Sequence, residues 1–178
     1  MNSEIVIAGF GGQGILFAGK VLAYTGMTAG YEVSWLPSYG PEMRGGTANC
    51  HVIMSDAPVA SPMIVKPTSL LAMNLPSLNK FEDEVVSGGV IVVDTSLVPQ
   101  NEVEREDVTL IAIPATRLAD EMDARKLANM VMLGAYIKGS ELVELETFME
   151  GLEKSVPKSK PELLELNKKA VMKGYELL

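Results

Sequence analysis

Four glycines within six residues, Gly9, Gly11, Gly12 and Gly14, follow the apolar run Ile5-Val-Ile-Ala8, with Gln13 set among them. A strand that ends in such a turn and opens a helix presents free N–H groups and a partial positive charge to an anion. The pattern Gly9-x-Gly11-x-x-Gly14 also fits the dinucleotide fingerprint, which further needs an acid at the end of the second strand. Here the second strand reads Tyr31-Glu-Val-Ser-Trp-Leu36, ends against Pro37, and carries Glu32 at its beginning. Two readings therefore stand: a turn that binds an anion or nucleotide, and a turn kept tight for packing. Gln13 either donates to a ligand from the helix start or caps that helix.

A second stretch is Pro37-Ser-Tyr-Gly-Pro-Glu-Met-Arg-Gly-Gly46. Its two prolines and three glycines forbid helix and strand, so it is a loop. If the first two strands are parallel neighbours, this loop leaves the second at the edge where the glycine turn sits, the edge at which open α/β sheets bind ligands. Tyr39, Gly40, Pro41, Glu42, Arg44, Gly45 and Gly46 form the candidate interface or ligand loop. Arg44 either clamps a phosphate or carboxylate with parallel guanidinium donors, or pairs with Glu42 or an acidic partner. Tyr39, stiff and amphipathic, suits an interface.

Two other reactive positions carry less. Cys50 and His51, each the only residue of its type, are adjacent in a strand pattern, so they point to opposite faces and cannot act as a nucleophile–base pair. Asp94-Thr-Ser96 closes a strand at the ligand edge, where an Asp is also an ordinary cap or turn residue.

The elements that must position these groups follow from periodicity. A helix over about 13–29 shows Ile15, Ala18, Leu22 and Gly26 on one face, widened by Val21 and Met27, with Gly30 ending it. Thr47 to Met54 alternates through Ala48, Cys50, Val52 and Met54 as a third strand. Ser61 to Val65 suits an edge strand, because Pro62 rules out a central one. Short strands follow at about 70–73, 89–94 and 108–113, with a broken helix over 75–86. Beyond Arg117 the pattern is helical, and a last helix from Pro161 is expected to bury Leu163, Leu166, Ala170 and Leu177. The fold predicted is a Rossmann-like, three-layer, twisted and mostly parallel sheet with helices on both faces and a helical C-terminal part. One domain, 1–178, is expected, with an α/β core over about 3–115 and helices over about 116–178.

Composition excludes several classes. Fifteen basic against 23 acidic residues leave a net charge of −8, against nucleic-acid binding. No apolar run reaches the ~18 residues of a membrane span, and a first strand beginning almost at once leaves no room for a signal peptide. A lone cysteine fits a reducing cytoplasm and can neither make an internal disulfide nor carry an iron–sulfur cluster or structural zinc.

Taken together, Gly9-Phe-Gly-Gly-Gln-Gly14, Tyr39-Gly-Pro-Glu-Met-Arg-Gly-Gly46 and the later Asn129-Met-Val-Met-Leu-Gly134 resemble the gamma subunit of 2-oxoacid:ferredoxin oxidoreductases, over roughly residues 3 to 155. The resemblance implies a complex that converts a 2-oxoacid and coenzyme A to acyl-CoA and CO2 and reduces ferredoxin. It places thiamine diphosphate, Mg2+ and iron–sulfur clusters on alpha, beta and delta partners, with no catalytic or metal-binding residue and no cofactor on this chain. The gamma part then supports assembly and shapes the coenzyme A or active-site channel, and 2-oxoglutarate is favoured over pyruvate or branched-chain acids. Two alternatives stand beside it: a stand-alone NAD- or flavin-dependent Rossmann oxidoreductase, and a ligand-free interaction protein.

Overall fold

The computed structural model describes residues 2–38 and 47–178. Six strands form one sheet: β1 (Asn2–Phe10), β2 (Glu32–Ser38), β3 (Thr47–Ser55), β4 (Ser69–Ala72), β5 (Val90–Asp94) and β6 (Thr109–Ile113), in spatial order β2-β3-β1-β4-β5-β6. β1, β4, β5 and β6 are parallel neighbours, while β3 is antiparallel to both β1 and β2. The helices are α1 (Ile15–Thr28), α2 (Leu75–Phe81), α3 (Ala115–Asp120), α4 (Ala128–Ser140), α5 (Leu145–Ser155) and α6 (Pro161–Tyr175).

Strand alternation builds two cores. Ile5, Ile7, Cys50, Val52, Leu71 and Val92 face the layer of α1, α4, α5 and α6. Val6, Ala8, Ile53, Leu70, Ile91 and Val93 face Leu78 and Phe81 of α2. The three-layer, mostly parallel architecture expected from the sequence is the one observed.

Three expectations need correction. The first two strands are not neighbours, because β3 lies between them. They nonetheless run the same way, since each is antiparallel to β3. Residues 61–65 form no strand; their backbone instead anchors through the Ile64 N–H, which donates to His51 Nδ1 at 3.0 Å. The register of α6 also differs. It buries Asn167, Ala170, Val171 and Gly174, whereas Leu166 and Leu177 are exposed, as is Met27 on α1. α6 lies so close to α4 that glycines occupy the contact, and Leu166 is turned outward while Leu163 and Leu164 pack at the edge of the core.

Candidate functional site at the carboxyl edge of the sheet

Each glycine of the turn after β1 answers a different demand. A Cβ on Gly9 would stand 2.6 Å from Gln13 Oε1 and 2.8 Å from Ile15 Cδ1. Gly12 has open space around it but φ of 94°, and Gly14 combines φ of 75° with a side-chain amide of Asn129 where its Cβ would be. Only glycine adopts such backbone angles without strain. Gly11 is exposed. Gly14 is also the N-cap of α1 and, having no side chain, caps none of the first-turn N–H groups. Asn129 closes the turn from α4: its Nδ2 donates to Gly14 O at 3.0 Å, and its Oδ1 accepts from Met130 N at 2.9 Å.

Gln13 does not cap the helix, whose N-cap is Gly14. Its Oε1 accepts from Phe10 N at 2.6 Å and its Nε2 donates to Met73 O at 3.2 Å, so it bridges the ends of β1 and β4. Replacing Gln13 with Ala strands both backbone groups, and a destabilisation of about 1–2 kcal/mol is expected. Urea unfolding of the purified chain checks this; an unchanged midpoint would show that water replaces the amide at no cost.

The other side of the site is built on Asp94, the last residue of β5. Its carboxylate is fully buried. Oδ1 accepts from Ser96 N at 3.0 Å and Thr116 N at 3.2 Å, and Oδ2 accepts from Thr116 Oγ1 at 2.5 Å. Asp94 therefore tethers the start of α3 to the sheet, its two oxygens engaged by three donors. Between it and the glycine turn lies a cleft of about 210 Å3 lined by Gly12, Gln13, Leu97, Thr116, Arg125 and Lys126. Arg125 and Lys126 come from a 3₁₀ turn, Arg125–Leu127, just before α4. Arg125 Nη1 pairs with Asp120 Oδ2 at 2.9 Å, both side chains being largely exposed. Such a pair contributes at most about 1 kcal/mol and leaves the guanidinium able to turn to another anion.

Sequence reasoning assigned the cation to Arg44 and missed Arg125 and Lys126, more than a hundred residues from the turn. The readable signal was two adjacent basic residues directly ahead of a helix. Tyr39, Gly40, Pro41, Glu42, Arg44, Gly45 and Gly46 lie outside the described residues. The residues flanking them are placed: Phe10 pairs with Thr47 and Ser38 with Asn49, so both ends of that segment meet the edge that carries the glycine turn.

The remaining reactive groups are committed elsewhere. Cys50 is buried, its Sγ donates to Ile15 O at 3.5 Å, and burial pushes its thiol up to about 12. That thiol is neither a nucleophile nor a cluster ligand at neutral pH. One cysteine in the chain does not fit an iron–sulfur cluster, and among the described residues no three His, Cys, Asp or Glu side chains gather to hold a metal ion. An NAD site is also poorly served, since β2 ends in Leu36-Pro37-Ser38 and Glu32 pairs with Ser55 at the opposite end.

The family model for pyruvate ferredoxin/flavodoxin oxidoreductase matches residues 4–177. The chain is 38% identical, over 179 residues, to 2-oxoglutarate synthase subunit KorC of Methanocaldococcus jannaschii, covering 99% of this chain and 94% of that relative. The gamma subunit of a keto/oxoacid ferredoxin oxidoreductase from Geobacter sulfurreducens superposes with a TM-score of 0.82 at 30% identity, over 98% of this chain and 96% of that one. A 2-oxoglutarate:ferredoxin oxidoreductase from Magnetococcus marinus, solved with 2-oxoglutarate, coenzyme A and succinyl-CoA bound, gives a TM-score of 0.85 at 28% identity, over 99% of this chain and 31% of that longer one. The chain belongs to the pyruvate ferredoxin/flavodoxin oxidoreductase family, as a gamma-type subunit of a 2-oxoacid:ferredoxin oxidoreductase.

Proposed function

We propose that this subunit carries out no chemistry of its own and contributes a phosphate-binding edge to a complex that oxidises 2-oxoglutarate. The substrate assignment is supported by its similarity to KorC and to the Magnetococcus marinus enzyme. Thiamine diphosphate, Mg2+ and iron–sulfur clusters belong, in this reading, to alpha and beta subunits, with delta a further candidate, and ferredoxin takes the electrons from them. The observation that carries the edge assignment is the pairing of an uncapped helix start at Gly14 with Arg125 and Lys126 across one cleft. Helix N-termini and guanidinium groups both favour phosphate oxygens. A phosphate of coenzyme A is the ligand proposed.

On a chain of net charge −8, attraction must be local and sensitive to salt. Titration calorimetry of the assembled complex with coenzyme A should show about tenfold weaker binding in Arg125→Ala/Lys126→Ala, equivalent to ~1.4 kcal/mol. Raising the salt should narrow that difference. Equal affinities for wild type and variant would remove the edge from the coenzyme A site. Turnover of a 2-oxoacid by the isolated chain, with coenzyme A and a viologen acceptor, would contradict the non-catalytic reading.

A further inference from the structure

The phosphate-binding edge has two halves that are far apart in sequence and carried by different helices, the glycine turn ahead of α1 and the Arg125–Leu127 turn ahead of α4. Among the described residues one side-chain hydrogen bond spans them: Asn129 Nδ2 donates to Gly14 O at 3.0 Å. Asn129 is only 3% exposed. It stands behind the cleft, whose lining takes Lys126 and Ala128 from the same stretch. Its Oδ1 accepts from Met130 N at 2.9 Å, so the amide is fixed to its own helix at one end and to the glycine turn at the other.

What that bond fixes follows from the peptide plane. Gly14 O also accepts from Ala18 N at 2.9 Å, which starts the hydrogen-bond ladder of α1. In a trans peptide the N–H points opposite to the carbonyl. The Ile15 N–H that shares this plane is therefore aimed out of the helix, toward an anion at its start. Gly14 is held at φ of 75° and ψ of 23°, and a Cβ there would fall on the Asn129 amide. Turn and amide are fitted to each other with no space between them. At the other end, Asn129 follows Lys126 by three residues and Arg125 by four, so an anchored Asn129 anchors the backbone from which both cations reach.

We infer that Asn129 is the positioning residue of this edge: its amide holds the Ile15 N–H and the Arg125 and Lys126 cations at the spacing at which they meet one phosphate. The role rests on the phosphate assignment made above. The position needs a donor, because it meets a carbonyl oxygen, and a short side chain, because the turn backbone lies against it. Asn supplies both, whereas a carboxylate there would set oxygen against oxygen beside an anion site. Without the amide, α4 keeps its place through buried Met130, Val131 and Leu133 and through the crossing at Gly134. What is lost is the alignment of its first turn with the start of α1.

A double-mutant cycle in the assembled complex tests this, with coenzyme A affinity read by titration calorimetry. Its corners are wild type, Asn129→Ala, Arg125→Ala/Lys126→Ala and the variant that combines all three changes. Asn129→Ala alone should weaken binding about three- to fivefold, a coupling ordinary for groups in one network. Added to the cation variant it should change little, because no cation is left to align. Asn129→Leu keeps the buried volume and removes the hydrogen bonds, so it should repeat the result where Asn129→Ala assembles poorly. In turnover assays both variants should raise the KM for coenzyme A and leave that for the 2-oxoacid; an amide that only supports assembly would lower kcat and move neither. Gly134→Ala, which strains α4 against α6 away from this edge, should leave coenzyme A affinity unchanged. A wild-type affinity in Asn129→Ala and Asn129→Leu, or the same loss with and without the cations, would overturn the positioning role while the cation variant's own loss kept the phosphate assignment. No loss in the cation variant itself would remove both.

Discussion

Replacing Gly134 with alanine lowers the melting temperature of this chain by about 4–8 °C, although alanine is the better helix former. A Cβ at Gly134 would fall on the carbonyl of Val171, and one at Gly174 on the carbonyl of Val131. α4 and α6 therefore cross backbone to backbone, with a glycine from each at the contact. Alanine in a helix interior gains about 1 kcal/mol over glycine. Overpacking commonly costs ~1–3 kcal/mol and occasionally more, and here the obstructing atoms belong to a helix backbone, which cannot move aside as a side chain can. The upper end of that range wins, for a net loss of about 2 kcal/mol, which a domain of this size converts at ~2–4 °C per kcal/mol. Gly139, further along α4, is the control. Its Cβ would meet side chains and no backbone, the end of Ile111 and, at 3.4 Å, Leu178 Cδ1, so Gly139→Ala should be near neutral or stabilising. Thermal unfolding of Gly134→Ala, Gly174→Ala and Gly139→Ala decides it. Equal melting temperatures for all three would mean that the two helices can separate at little cost. The double variant Gly134→Ala/Gly174→Ala should cost less than the sum, since either methyl alone already forces the helices apart.

That crossing also shows where the sequence could not be read. Hydrophobic periodicity ranks leucine above alanine and glycine, so α6 reads as burying Leu166 and Leu177. The helix buries Ala170 as read, but with Asn167, Val171 and Gly174 in place of Leu166 and Leu177, because closeness of approach and not apolar area governs this contact. The alternation of Ala48, Cys50, Val52 and Met54 was legible, since a strand with one face on a helical layer has a period of two whatever its neighbours. Which strands those neighbours are was not legible. Nothing local in Thr47–Ser55 says that it enters between β1 and β2, as pairing is a long-range choice. The glycine turn was legible because positive φ at Gly12 and Gly14 restricts the residue type itself. Arg125 and Lys126 were not, because only the docking of α4, through Asn129 onto Gly14 O, brings them to that turn.

Asp94 carries the other large effect, and its two variants separate a structural acid from a ligand-binding one. Asp94→Ala removes the acceptor for the N–H groups of Ser96 and Thr116 and for the Thr116 hydroxyl, all gathered at the start of α3. Hydrogen bonds to a charged group contribute about 1.5–3 kcal/mol, and each buried donor left unpaired adds its own penalty. A loss of about 3 kcal/mol is therefore expected, or ~6–12 °C in melting temperature. Asp94→Asn keeps Oδ1 for the Ser96 N–H and for one half of the Thr116 N–H bond, whose other half Oδ2 accepts at 3.1 Å, but turns an N–H toward the Thr116 hydroxyl. That hydroxyl can rotate to accept, so the loss should be under half that of Asp94→Ala. The wall of the cleft beside Thr116 moves with this contact, so in the assembled complex coenzyme A affinity should fall in step with stability across the two variants. A drop in affinity for Asp94→Asn equal to that of Asp94→Ala, with stability retained, would instead mean that the carboxylate itself meets the ligand or its counter-ion.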